Sequence, residues 1–522
     1  MTEDPRSKAE LTRIMAREIL DKIQKGEPVE YDHVRIIGGL IGGLDLSKLD
    51  LLTQHLERNE LQKRMAFTED VKIVRSAISI TNSSIQVVLD FGNATFSKDV
   101  IFEGTTFSED AGFDGATFSG DARFDGATFS GDAGFDGATF SGDAGFDGAT
   151  FSRDAVFDGA TFSWAAVFDG ATFSNNVWFR GATFSETAVF DGETFSKDVM
   201  FDGATFSGAA VFSEVTFSGA AVFDGATFSG AAVFDGATFS GAAMFDGATF
   251  SEASSLFRVT FNGDARFNRA TFSGAVLFDE STFSGDAEFD GATFSGDAVF
   301  DGTTFSWAVL FDGATFSGDA RFDRATFSGD ARFNRAKLEG DVLTFRDATF
   351  VHAISQERAS RRAKNVLAKA GNRDEEEYHF YREMEAKRIQ KGIKGNSGLV
   401  LGYLLLKAET GSFWKFFFYD VLEFVFVQKI FGYGVHPFRL FGWWLVFVVI
   451  FAVIYSINGA IEQPDTRQWY DYLWFSIATA ATPGYALYKP LGLFKIIAGI
   501  EAILGTFMWA AFITTFARKF SR

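Results

Sequence analysis

The sequence predicts an all-β solenoid of short stacked strands, followed by an α-helical module built for a membrane. Three observations predict this. Residues 91–350 repeat one eleven-residue sentence, F-D-G-A-T-F-S-G-D-A-x, with almost no drift. The phenylalanines of that sentence form two long columns, and most have a small residue two positions before them. Beyond residue 350 the composition switches, first to helix formers and then to long apolar runs.

The columns dictate the architecture, because a fixed period is the signature of a repeat fold. Phe102, Phe113, Phe124 and Phe135 begin the first column, which runs to Phe333 with Leu256 as its one substitute. Phe107, Phe118, Phe129 and Phe140 begin the second, which runs unbroken to Phe327. The steps between them alternate five and six residues, as in Phe113, Phe118 and Phe124. Ala111, Ala116 and Ala122 precede these by two, and residues two apart on a strand share a face. Each unit therefore reads as a short strand with Ala and Phe inward and the residue between them outward. Gly, Ser and Asp fill the gaps and are turn residues. A helix fits worse, since five and six do not track a 3.6-residue period and Gly recurs too often.

This pattern of a central Phe with Ala two before it resembles the pentapeptide-repeat family, whose fold is a right-handed quadrilateral β-helix. The resemblance implies four sides per coil, 5+6+5+6, or about 22 residues, and about twelve coils over 91–350. At ~4.8 Å per coil the regular part would be roughly 57 Å long. One coil cannot bury its phenylalanines alone, so stability is expected to come from nearest-neighbour stacking.

Charge is uneven. The chain carries a net −20. Residues 91–350 hold 30 Asp and 9 Glu against 14 Lys plus Arg, or −25, which leaves about +5 for the rest. Asp114, Asp136 and Asp158 are expected to stack about 4.8 Å apart on a solvated surface. Such a ladder attracts cations, is stabilised by salt and repels nucleic acid. An acidic rod of this kind also supports an alternative reading as a DNA mimic, which some pentapeptide-repeat proteins resemble.

An enzyme finds little support. There is no Cys, and the five His (His33, His55, His352, His379, His436) are scattered singly. No P-loop, GxSxG or HExxH motif is present. No catalytic residue, metal site or cofactor is expected.

In chain order, residues 1–27 show no apolar core behind a basic start, so no signal peptide is read. Residues 9–23 place Leu11, Ile14, Met15, Ile19, Leu20 and Ile23 at helical spacing, which predicts one amphipathic helix capping the open end of the solenoid. Residues 28–90 read as irregular coils, with Ile36, Ile41, Leu46 and Leu51 five apart, and likewise Ile73 and Ile78, and Ile80 and Ile85. The charged interval 52–70 reads as an excursion between coils. The solenoid is thus expected over 28–350. Residues 351–394, broken at Gly371-Asn372, predict an antiparallel helical hairpin that caps the other end, with Lys387, Arg388, Lys391 and Lys394 placed to meet anionic lipid. Residues 395–436 mix Phe413, Trp414, Phe416, Phe417, Phe418, Phe424 and Phe426 with Lys415, Asp420, Glu423 and Lys429; they suit a helix lying in the membrane interface.

Residues 437–522 read as a membrane module. Residues 441–457 are apolar almost without interruption, with Trp443, Trp444 and Tyr455 marking the ends, and 493–516 form a second span. Arg439 before the first and Arg518, Lys519 and Arg522 after the second place the solenoid and the C-terminus on the cytoplasmic side of the cell membrane. Between the spans, apolar residues 470–481 are too short to cross and meet T-P-G-Y. This order of span, short helix, T-x-G-Y and span resembles the two-transmembrane pore module of the potassium-channel superfamily.

The resemblance covers about 437–520. It implies that Thr482, Pro483, Gly484, Tyr485, Ala486 and Leu487 occupy the places of the family's T-V-G-Y-G-D filter, whose carbonyls replace the ion's water shell. It also implies four subunits around one pore and K+ or Na+ as permeant ion. Pro483 loses an N–H and fixes φ. Ala486 stands where a left-handed Gly is used, at a cost of about 1–2 kcal/mol, and Leu487 replaces a bracing Asp. These departures weigh against potassium selectivity. Glu501 lies within the second span, where a carboxyl is expensive and usually functional; it is expected to ring the pore, to bond the back of the filter, or to face a polar neighbour such as Thr479. Gly499 and Gly505 are candidate hinges. The expected protein is a homotetrameric two-span membrane channel in which a cytoplasmic solenoid gates the pore, concentrates cations or binds a protein partner. A non-conducting membrane-anchored scaffold is the alternative.

Overall fold

A computed structural model of the chain describes residues 11–38, 42–58, 60–390, 437–457, 460–462, 468–481 and 489–520. They fall into two compact units, Met1–Ser355 and Gln356–Arg522.

The first unit is a four-sided parallel β-solenoid. Its four sheets hold 15, 14, 14 and 13 strands, and from Asp70–Val74 onward each strand pairs with the fourth one after it in the chain. Each coil thus gives one strand to each sheet. Phe96, Phe118, Phe140 and Phe162 are partners in register, 22 residues apart. Both Phe columns, Leu256 and the small residues two before them are buried, whereas the Thr before each second-column Phe sits at the surface.

Ring geometry explains why Phe fills both columns. Along the axis the rings lie parallel: Phe135 and Phe157 are 4.8 Å apart at 1°, the spacing of hydrogen-bonded strands. Successive phenylalanines of the first column lie on different sides of the coil and meet edge to face, as Phe135 and Phe146 do at 5.5 Å and 90°. Both are favoured ring arrangements. The corner after F-D needs a left-handed residue, and Gly115, Gly137 and Gly159 supply it with φ of 65°, 61° and 63°. Arg269 and Arg324 hold the same conformation at φ of 58° and 60°.

The regular period breaks once near its end. Phe316 pairs with Leu338 at 22 residues, but Ala320 pairs with Leu343 at 23. One residue is inserted between those strands, and Phe345 still stacks on Phe322 at 5.0 Å.

The N-terminal expectation needs correction. Thr12–Met15 is a strand paired in parallel with Val34–Ile37; the helix, α1, is shorter, Ala16–Lys25. Leu11, Ile14 and Met15 fit a helical period, but the unpaired edge of the first coil offers backbone partners that hold 12–15 extended. α1 buries Ala16, Ile19 and Ile23 and ends at Gly26 with φ 72°. The early register also differs. Val74, not Ile73, is the inward residue, because Val74 pairs with Phe96 and Ile73 with the outward Thr95. Ile78 takes an Ala position opposite Val100. Ile41 lies outside the described residues. The excursion holds α2, Glu60–Arg64. From the same excursion, buried Arg58 donates from Nη1 to the Gly115 carbonyl at 3.0 Å, and Gln62 donates to the Gly137 carbonyl at 2.6 Å.

In the second unit α3, Ala353–Ala370, and α4, Arg373–Gln390, form the antiparallel hairpin, turning at Gly371 with φ 75°. Buried Glu383 accepts from Arg361 Nε at 3.0 Å, Lys364 Nζ at 2.8 Å and Lys387 Nζ at 2.6 Å. Together these bonds hold its carboxyl down at about 2 against the cost of burial. The expected interfacial helix at 395–436 lies outside the described residues. Three helices follow: α5, Pro437–Tyr455; α6, Trp469–Ala481; and α7, Phe494–Phe520.

Candidate functional site

The helical module is ordered by its apolar pattern. α7 carries a stretch, Phe494–Thr514, long and apolar enough to cross a membrane, and it is the one such helix among the described residues. The apolar part of α5, Leu440–Tyr455, is shorter. α5 and α7 run antiparallel, zipped by ring pairs: Phe438 with Phe516 at 6.3 Å, Phe441 with Phe512 at 5.8 Å, and Trp444 with Trp509 at 5.7 Å. Other apolar residues of the two helices, Val449, Val453, Ile496, Ile503 and Phe507 among them, point away from the module and are exposed.

α6 is the short element between them. Its Phe475 meets Tyr455 edge to face at 4.9 Å. Ala480 packs with Trp444, Val448 and Met508. α6 and α7 approach each other tightly at Gly505, where a Cβ would sit 2.6 Å from the Ala480 Cα. Gly499 has open space around its missing Cβ. The two proposed hinges therefore differ: Gly505 permits a close helix contact, and Gly499 does not. The segments that flank the loop are also tied. Glu462 N–H donates to the Lys489 carbonyl at 2.7 Å, and Leu491 N–H to the Ala460 carbonyl at 2.9 Å.

Glu501 is fully buried where the three helices meet. Tyr455 Oη donates to its Oε2 at 2.7 Å. Ser476 Oγ is hydrogen-bonded to its Oε1 and also lies 2.9 Å from the Val448 carbonyl. The residue thus faces the back of α6 through Ser476. Thr479 is buried, but among the described residues its hydroxyl has no hydrogen-bond partner. The sequence marked Glu501 by its cost; Tyr455 read as an interface marker and Ser476 carried no signal. The filter-like residues Thr482, Pro483, Gly484, Tyr485 and Ala486 lie outside the described residues, and α6 ends directly before them, at Ala481.

The solenoid surface carries the acidic ladders. Asp125 Oδ1 accepts the Asp147 N–H at 3.1 Å, and Asp301 Oδ1 the Asp323 N–H at 2.8 Å, in each case one coil on. Among the described residues no group of three or more His, Asp or Glu is placed to hold a metal ion. One carboxyl departs from the surface pattern. Glu193 stands at an inward Ala position, is fully buried, and neither carboxyl oxygen bonds another residue. Burial pushes it up to about 9, with Asp169, Asp191 and Asp147 adding to the shift. Nothing in the sequence but the single Glu in the F-D-G-A-T column marked it.

Comparison with family models places two families on this chain. A model described as pentapeptide repeats (9 copies) matches residues 88–128, 124–166, 168–216, 212–260, 256–304 and 300–349. One described as ion channel matches 443–522, the stretch that holds most of α5 and all of α6 and α7. No curated protein and no solved structure matches. The channel match and the apolar helix together indicate association with a membrane. With half its length under the repeat model, the chain belongs to the pentapeptide-repeat family and carries a potassium-channel-like domain at its C-terminal end.

Proposed function

We propose that the chain forms a passive pore for monovalent cations, assembled from four copies in the cell membrane around residues 482–486. The observation that carries this is the order of helices. A short helix, α6, is gripped between two apolar helices and ends one residue before Thr482. A helix C-terminus carries partial negative charge, which favours a cation beside it. One chain supplies one such loop, so a closed pore needs several around an axis. Both α5 and α7 cross the bilayer in this reading, which leaves the solenoid and the C-terminus on the cytoplasmic side. There the solenoid serves as a regulatory or binding module for a protein partner, and its acidic surface disfavours nucleic acid. The chain has no enzymatic role in this account.

A second reading, a membrane-anchored scaffold, is favoured by Ala486 and Leu487, which stand where the channel filter has Gly and Asp. Flux separates the two. Full-length protein in proteoliposomes should pass K+ or Na+, and Gly484→Asp should abolish that flux. Equal leak from both proteins, or none from either, supports the scaffold.

A further inference from the structure

We propose that Glu501 works as a neutral acid, a positioning residue that uses its own proton to pin α6 to α5 and α7. This rests on reading the three helices as a membrane-embedded module. The argument is a count of hydrogens. Ser476 Oγ lies within bonding distance of two acceptors, the Val448 carbonyl on α5 and Glu501 Oε1 on α7. A serine hydroxyl has one hydrogen and two lone pairs, so it can donate to only one of them. If Glu501 is ionised, one of these contacts has no proton. A carboxylate is then left fully buried beside two neutral hydroxyls. Among the described residues its hydrogen bonds go to Tyr455 and Ser476, and no cation is among its partners. An unpaired buried charge of this kind is strongly disfavoured.

A protonated Glu501 satisfies every member. Tyr455 donates to the carbonyl oxygen of the acid. The acid hydroxyl donates to Ser476 Oγ, and Ser476 donates to Val448. The chain of bonds then runs from α5 through α7 to α6 and back to α5, with each donor used once. Ser476 lies five residues before Ala481, so the clamp fixes the short helix that leads into Thr482. A carboxyl that rings an aqueous pore would need water contact, and a fully buried one does not have it.

Glutamine is the test of this reading, because its amide keeps a donor group and a carbonyl acceptor in the acid's places, with one further N–H and no titratable proton. Full-length protein in lipid vesicles at neutral pH should show an infrared carboxylic-acid C=O band that is lost in Glu501→Gln and therefore stands out in the difference spectrum of the two. Glu193 stays in both proteins and cancels. Glu501→Gln should match the wild type in melting temperature, whereas Glu501→Leu should melt several degrees lower. A wild-type spectrum without that band, or a Gln variant as unstable as the Leu variant, overturns the proposal. Neither readout needs conduction, so a failed flux assay leaves the clamp standing, and a failed clamp leaves the pore standing.

Discussion

The Asp114 carboxylate accepts the main-chain N–H of Asp136 at 3.0 Å, one coil further along the solenoid. Each step of such a ladder places one carboxyl near the next, and the amide bond offsets part of the repulsion. It does not offset burial. Asp114 is held above the usual carboxylate range, and burial, with Asp114 and Asp158 on either side, brings Asp136 to about 7. Asp147, Asp224 and Asp301 are shifted the same way by the same causes. A carboxyl whose folded pKa is raised costs stability once pH exceeds its unfolded value, and the cost grows until the folded pKa is passed. The full-length protein should therefore melt higher at pH 5 than at pH 8. Added salt should raise the pH 8 value more than the pH 5 value. A scan over pH and NaCl checks both.

Glu193 gives a sharper case. Thr194 N–H reaches the Ala171 carbonyl at 3.4 Å, where its regular counterpart, Thr183 to Ala160, spans 2.8 Å. Phe195 and Phe217 have opened to 5.3 Å. Glu193→Ala restores the repeat residue and removes an unpartnered buried acid, a gain of about 1–3 kcal/mol. Its advantage should grow as pH rises from about 4.5 toward about 9. Urea unfolding at several pH values measures it.

Phe162 stacks on Phe140 at 4.7 Å and on Phe184 at 4.8 Å. Phe162→Ala should cost about 3–5 kcal/mol through the cavity. Phe162→Leu should cost less, since Leu256 already fills a column site in this chain. Hydrogen exchange should show the loss concentrated in the neighbouring coils, as nearest-neighbour stacking requires.

The two glycines of α7 should respond in opposite ways. Gly505→Ala drives a methyl into Ala480 and should lower both thermal stability and flux. Gly499→Ala meets nothing within 4 Å and gains up to about 1 kcal/mol of helix propensity. Paired melting and flux assays check this.

The solenoid was legible because its information is local and repeated: Ala and Phe two apart define a strand, and the left-handed corner demands Gly. What was not legible depended on contacts between distant residues. Residues 12–15 became a strand because the first coil offered an edge. Val74 displaced Ile73 because Phe96 fixed its register from the coil above. In the helical module, the apolar runs and the short helix before T-P-G-Y read directly. Glu501 showed its cost in the sequence, but of its partners 46 and 25 residues away Tyr455 read only as an interface marker and Ser476 showed nothing.

Assembly is the most direct test of the pore, since the loop of one chain cannot enclose an ion. Native mass spectrometry of the full-length protein from detergent or lipid nanodiscs measures it. The account predicts one dominant species of four chains, each of 57.3 kDa. A monomer that persists in lipid nanodiscs would contradict it.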